Sequence, residues 1–155
     1  MAVIISDTGP LLAFAGINQL TILQQLFKTV WIPQAVWLES QVHSDSAAQH
    51  IAAALQQGWL QVVTVPTPQD FPVSLGDGEQ EAMQLAISNP SALLIMDDRL
   101  ARREALHRNL SFVGTVKVLW IAEQRHLISD AAVLLDAMAA NGYYLSRQLL
   151  QQISE

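Results

Sequence analysis

Acidic residues in this chain stand where apolar strands end or helices begin. Ala2-Val3-Ile4-Ile5-Ser6 runs into Asp7, and Ala92-Leu93-Leu94-Ile95-Met96 runs into the pair Asp97-Asp98. Between them, Trp31-Ile32-Pro33 leads to Glu39, and Gly76-Asp77-Gly78 leads to Glu79 and Glu81. In a parallel α/β sheet the carboxyl ends of the strands share one edge, so acids distant in sequence can converge there. Converging carboxylates repel one another unless a hard cation sits between them. The chemistry expected is that of a magnesium or manganese centre.

Each acid also has a plainer role open to it. Asp7 could cap a helix starting near Pro10, and Asp97 or Asp98 one starting near Arg99. Two adjacent acids exceed what one cap requires. Glu39 by itself is an ordinary surface acid. Glu79 precedes Ala82, Met83 and Ala86 at helical spacing, which places it at the head of the apolar stripe facing the sheet. Its alternative is a favourable interaction with the helix amino terminus. Glu81 points elsewhere on the helix, and Asp77 between two glycines reads as a turn residue.

Other chemistries lack their residues. His43, His50, His107 and His126 are scattered without ligand spacing, and no Gly-x-Ser-x-Gly elbow is present. Gly76-Asp77-Gly78-Glu79 lacks the lysine and length of a Walker loop. With no cysteine, disulfides and thiolate metal sites are excluded.

The elements that must position the acids alternate. Residues 2–6 read as a buried strand rich in β-branched residues, followed by a helix with Pro10 in its first turn. Asn18 is expected to cap a second helix to about Phe27, and Thr29–Ile32 to form a short strand. Pro33 opens the helix bearing Glu39. Ser44-Asp45-Ser46 opens another, ended by Gly58. Trp59–Val65 is a weakly patterned strand, and the prolines at 66, 68 and 72 mark a loop. A helix from about Gly78 to Ser88, strand 92–96, helix 98–108, strand 111–113 and helix 115–124 follow. Ser129 is expected to cap a helix ending at Asn141-Gly142, and a last helix runs from Arg147 to about Ile153. The four tryptophans sit in apolar stretches and read as core. This alternation implies a three-layer α/β/α fold around a mostly parallel sheet, in one domain over residues 1–155.

A chain of 155 residues can bury a real core. No apolar run is long enough for a membrane span, and no signal peptide is evident, so a cytoplasmic location is expected. The net charge of −6 argues against loose binding to nucleic acid by charge alone. Its distribution is uneven: Lys28 is the only Lys or Arg before Arg99, and Arg99, Arg102, Arg103 and Arg108 follow Asp98 directly. Such a patch could hold a polyanion beside a metal cluster, or be a solvated helix face paired with Glu104.

Four segments carry a family resemblance. Val3–Leu12, with Ser6-Asp7-Thr8-Gly9-Pro10, resembles the opening of PIN-domain proteins, particularly the small prokaryotic branch of VapC-type toxins. Ile32–Glu39, Leu75–Ala82 and Leu94–Arg102 are similar to that family's second, third and fourth acidic motifs. Gly114-Thr115 with Leu119, and Gly142-Tyr143-Tyr144-Leu145-Ser146, also fit the branch. The resemblance implies a PIN-like α/β/α fold and a divalent-metal ribonuclease that leaves a 5′-phosphate. Carried over, Asp7, Glu39, Glu79 and Asp98 are the four catalytic acids, and Asp7, Glu79, Asp97 and Asp98 the metal-binding set for Mg²⁺ or Mn²⁺. Glu39 would orient the attacking water, while Arg99 and Arg102 would contact RNA phosphates. The third acid of the family is usually aspartate, and a hydroxyl residue often stands where Met96 precedes Asp97.

Partners implied by the same resemblance are RNA and a small antitoxin protein that covers the site. Val133-Leu134-Leu135 and Leu149-Leu150 could supply that surface, or a homodimer face, or simply pack on the sheet. A catalytically silent, partner-regulated nucleic-acid-binding module is the alternative reading. A magnesium-dependent phosphotransfer enzyme wants a lysine near its aspartate, and Lys28 and Lys117 lie in neither acidic motif.

Overall fold

A computed structural model describes residues 2–143. The apolar run at the start forms strand β1 (Ile4–Ser6), and its residues alternate between the two faces of the sheet. Ile4 packs into one core and Ile5 into the other. Four more strands follow: β2 (Val30–Pro33), β3 (Leu60–Val63), β4 (Leu93–Ile95) and β5 (Ser111–Val113). The sheet order is β3-β2-β1-β4-β5, and every pairing in it is parallel. The expected "mostly parallel" sheet is therefore wholly parallel among the described residues.

Helices cover both faces, giving the three-layer architecture. On the Ile4 face lie α1 (Thr8–Gly16), α2 (Thr21–Phe27), α4 (Ser46–Gln57), α7 (Thr115–Gln124) and α8 (Ala131–Ala140). The Ile5 face carries α5 (Asp77–Ile87) and α6 (Arg99–His107), whose Met83, Ala86, Ala101 and Ala105 are buried against Leu94 and Met96. Helix α3 (Gln34–Ser40) follows β2 directly and packs against α5 and α1.

The chain moves outward from β1 in opposite directions, to β2 and β3 on one side and to β4 and β5 on the other. A crevice at the carboxyl ends of the strands opens at such a reversal, between β1 and β4. Ser6 pairs with Ile95 at the top of these two strands, and the Asp7 backbone N–H donates to the Ile95 carbonyl at 2.9 Å. Asp7 and Asp97 thus leave the sheet side by side.

Three local expectations differ. Asn18 does not cap α2; it takes a left-handed turn at φ 57°, a conformation asparagine tolerates, and the helix starts after Leu20. The cap of α8 is Asp130, which accepts the Ala132 N–H, rather than Ser129. Trp120 is 41 % exposed on α7, with the Lys117 ammonium 4.5 Å from its ring centroid, so it is not core. The expected helix from Arg147 lies outside the described residues.

Candidate metal centre

Asp7 sits at the boundary between β1 and α1 and is only 6 % exposed. Although it occupies the N-cap position, its side chain makes no capping bond to the helix. The plain role open to it in sequence is therefore unused. Burial raises its carboxyl pKa to about 7; the Thr8 backbone N–H pulls it back, and the charges of Glu79, Glu39 and Asp97 push it further up. A buried carboxylate flanked by three others is costly to ionise without a cation.

Glu39 reaches the cluster from α3. Its Oε1 accepts the Gly78 backbone N–H at 3.0 Å, and its Oε2 accepts the Thr8 hydroxyl at 3.3 Å. Burial raises its pKa, those two donors lower it, and Asp77 and Glu81 raise it again. Gly78 is a glycine for a steric reason: a Cβ there would collide with the Glu39 carboxylate.

Glu79, in the first turn of α5, accepts the Gly76 N–H at 3.0 Å. Burial raises its pKa, the Gly76 amide lowers it, and Asp98 and Glu39 raise it. It lies close enough to Asp7 for its charge to raise the Asp7 pKa. Glu81 is turned away and accepts the Ala35 N–H of α3 at 3.2 Å. Helical phase thus separates the two glutamates into different jobs.

The adjacent aspartates are separated as well. Asp98 is exposed and caps α6 by accepting the Ala101 N–H at 3.0 Å, and it faces Glu79. Asp97 points inward, where its Oδ1 accepts the Thr115 N–H at 2.8 Å and its Oδ2 the Thr115 hydroxyl at 2.6 Å. The Tyr143 hydroxyl donates to the same Oδ2. Burial raises the Asp97 pKa, and Thr115 and then the Arg102 charge lower it. A Cβ on Gly114 would stand 2.8 Å from Asp97 Oδ1, so any larger residue would have to displace that carboxylate.

Arg99 is exposed at the start of α6. Arg102 is turned back over the Phe112 ring, 4.9 Å from its centroid, with its Nε buried and unpartnered among the described residues. Among the described residues the one ion pair is Glu104–Arg108, away from these acids. Asp7, Glu39 and Glu79 thus gather without a basic side chain paired to them.

The donors are hard oxygens, partly desolvated and mutually repelling, which suits Mg²⁺ or Mn²⁺ over softer metals. Among the described residues, no three His, Asp or Glu side chains come close enough together to hold an ion as they stand. The fit lies in donor chemistry and in the buried Asp7 charge. Thr8, Gly78, Thr115 and Tyr143 complete the surroundings. Sequence reasoning did not assign them roles; their only signal was adjacency to the acidic motifs or membership of the Gly114-Thr115 and Gly142-Tyr143 segments.

Comparison with known proteins gives the arrangement a context. The sequence profile of a family described as PIN domain matches residues 3–155. A solved PilT N-terminus domain protein from the hyperthermophilic archaeon Sulfolobus solfataricus P2 has a similar fold, with TM-score 0.51 and 21 % identity. The similarity covers 79 % of this chain and 93 % of that one. No curated protein matches the chain.

Proposed function

The chain belongs to the PIN-domain family, and from that premise we propose that it is a divalent-metal-dependent ribonuclease hydrolysing RNA phosphodiester bonds, the toxin of a toxin–antitoxin pair. PIN domains are generally metal-dependent nucleases. The observation that carries the reading is Asp7: a buried carboxyl that makes no capping bond, ringed by the charges of Glu79, Glu39 and Asp97, with no basic partner among the described residues.

Asp7, Glu79 and Asp98 would hold the cation, with Asp97 beside them. When bound, Mg²⁺ or Mn²⁺ supplies a Lewis acid for the phosphoryl oxygens and lowers the pKa of an attacking water. The protein's own contribution is placement and charge. Asp7 provides a carboxylate that burial makes costly to ionise and that a bound cation would hold in its charged form. Glu39, fixed by the Gly78 amide and the Thr8 hydroxyl, is oriented to accept a proton or hold a water. Asp97 is kept in one rotamer by Thr115 and Tyr143. Arg99, at the exposed start of α6, anchors a substrate phosphate. Arg102, beside Asp97 and over Phe112, steadies that carboxylate, and a substrate phosphate would have to draw it out of that position.

The deciding experiment compares RNA cleavage by the wild type and by Asp7→Asn in Mn²⁺. Cleavage by the wild type alone, abolished by chelator, supports the reading; equal rates in both, or insensitivity to chelator, refute it. For the toxin role, expression should arrest growth, and co-expression of the product of an adjacent small reading frame should relieve the arrest.

A further inference from the structure

Helix α6 buries Ala101 and Ala105 and exposes Arg99, Leu100, Arg103, Leu106 and His107. These exposed positions recur at i, i+1, i+4, i+7 and i+8, so they form one continuous stripe. An ordinary solvated helix face would not carry two large apolar side chains; Leu100 is 51 % and Leu106 66 % exposed. The stripe forms one wall of a groove of about 610 Å³, lined by Leu100, Arg103, Leu106 and His107 on the helix and by Pro72 and Leu75 on the facing loop.

The loop wall is held in place. Arg108 lies over the Phe71 ring, 3.9 Å from its centroid, and donates to the Asp70 carbonyl at 2.6 Å. The same arginine pairs with Glu104 at 2.8 Å, which neutralises an acid that also borders the groove. What remains is apolar walls with Arg103 and the His107 imidazole along one edge, and Arg99 on the same helix face one turn before Arg103. The stripe begins one residue after Asp98 and runs along α6 for about 12 Å from the candidate metal centre.

We propose that this groove is the binding track for single-stranded RNA, with phosphates on Arg99 and Arg103 and a splayed base between the apolar walls. The inference rests on the ribonuclease reading and names where its substrate lies. Charge complementarity favours a polyanion: these arginines belong to the only basic cluster of an acidic chain. The apolar walls favour a single strand, because a duplex keeps its bases stacked inside. The groove's helix wall is α6, which Asp98 caps, and this favours a substrate over a ligand bound elsewhere.

The test measures fluorescence anisotropy of a fluorescein-labelled, mixed-sequence 12-mer oligoribonucleotide with the full chain in EDTA, where cleavage is suppressed. Arg99→Ala/Arg103→Ala should weaken binding roughly tenfold near 0.15 M salt and reduce the slope of log K against log salt by about 1.4, the value for two lost phosphate contacts on a single strand. Leu106→Ser should weaken the single strand more than a duplex of the same sequence. Arg125→Ala, an exposed charge on another part of the surface, should change nothing.

Wild-type affinity in the double arginine variant, or the same loss with Arg125→Ala, would overturn the proposal. So would undiminished RNA binding in variants that lose an acidic, leucine-containing peptide, since the groove would then serve a protein partner. Because binding is read without metal, absent cleavage by the wild type refutes the nuclease reading alone, whereas unaltered binding in the variants refutes the track alone.

Discussion

Glu39 and Glu81 each hold the start of the other's helix. Glu39 of α3 accepts the Gly78 N–H in the first turn of α5, and Glu81 of α5 accepts the Ala35 N–H in the first turn of α3. Two helix amino termini, each with unsatisfied amides and a partial positive charge, are thereby satisfied reciprocally. Removing one side of the exchange should loosen the other. Glu81→Ala should lower stability by about 1 kcal/mol, the usual value for a lost cap, and weaken Mn²⁺ binding through Glu39. Glu81→Gln keeps an acceptor oxygen and should restore both. Denaturant titration and calorimetric metal titration read the two effects separately.

The buried Asp7 sets a pH dependence. Its pKa of about 7 in the fold lies above the ordinary aspartate value of 3.8, so between those values the folded chain holds a proton that the unfolded chain has released. This contribution to stability is full below about pH 4 and is lost as pH rises through 7, up to about 4 kcal/mol. Glu39, Glu79 and Asp97 are shifted in the same direction. In chelator the melting temperature should therefore fall between pH 5 and 8 more steeply for the wild type than for Asp7→Asn. Added Mn²⁺ should raise it more at pH 8 than at pH 5.5.

Gly78→Ala separates folding from function. Alanine favours a helix by about 1 kcal/mol over glycine, which offsets much of the lost Glu39 bond. The new methyl must nonetheless push the Glu39 carboxylate out of its seat. Stability should stay within about 1 kcal/mol of wild type, while cleavage falls roughly 10–100-fold, as when a supporting group around a metal site is lost. A variant that melts normally and cuts normally would show that the position of Glu39 is unimportant.

Thr115 supplies two donors to Asp97. Thr115→Val retains the backbone N–H and shape but removes the hydroxyl, leaving a buried carboxylate under-satisfied. A loss of about 1–3 kcal/mol is expected, with near-recovery in Thr115→Ser. Thermal unfolding of the three proteins side by side checks it.

Much of this could be read from sequence because it is local. The β-branched run before Asp7 and the apolar run before Asp97 each announce a strand and its end, and Gly76-Asp77-Gly78 announces α5, although Asp77 is its first residue rather than part of a turn. Helical phase separated Glu79 from Glu81 without knowing what Glu81 bonds. Contacts between elements were beyond reach: nothing near Glu81 points to Ala35, and nothing near Asp97 points to Thr115 or Tyr143. Caps failed for a related reason. Asn18 and Ser129 are good capping types, yet Leu20 and Asp130 occupy those positions, since a turn's φ and ψ decide among neighbouring candidates. The capping alternative for Asp7 could be dismissed only once its rotamer was seen.

The adjacency of β1 and β4 has a bearing on biosynthesis. Asp7 and Asp97 meet only through that pairing, yet roughly ninety residues separate them. At ordinary translation rates the second acid follows the first by about 5–20 s. Until β4 emerges and threads beside β1, the nascent chain carries Asp7, Glu39 and Glu79 but neither Asp97 nor Asp98, and only one half of the crevice. A parallel pairing of such long range is also slow to form. The proposed nuclease site is thus incomplete during synthesis, and its fourth acidic segment is added only when nearly two thirds of the chain has been made.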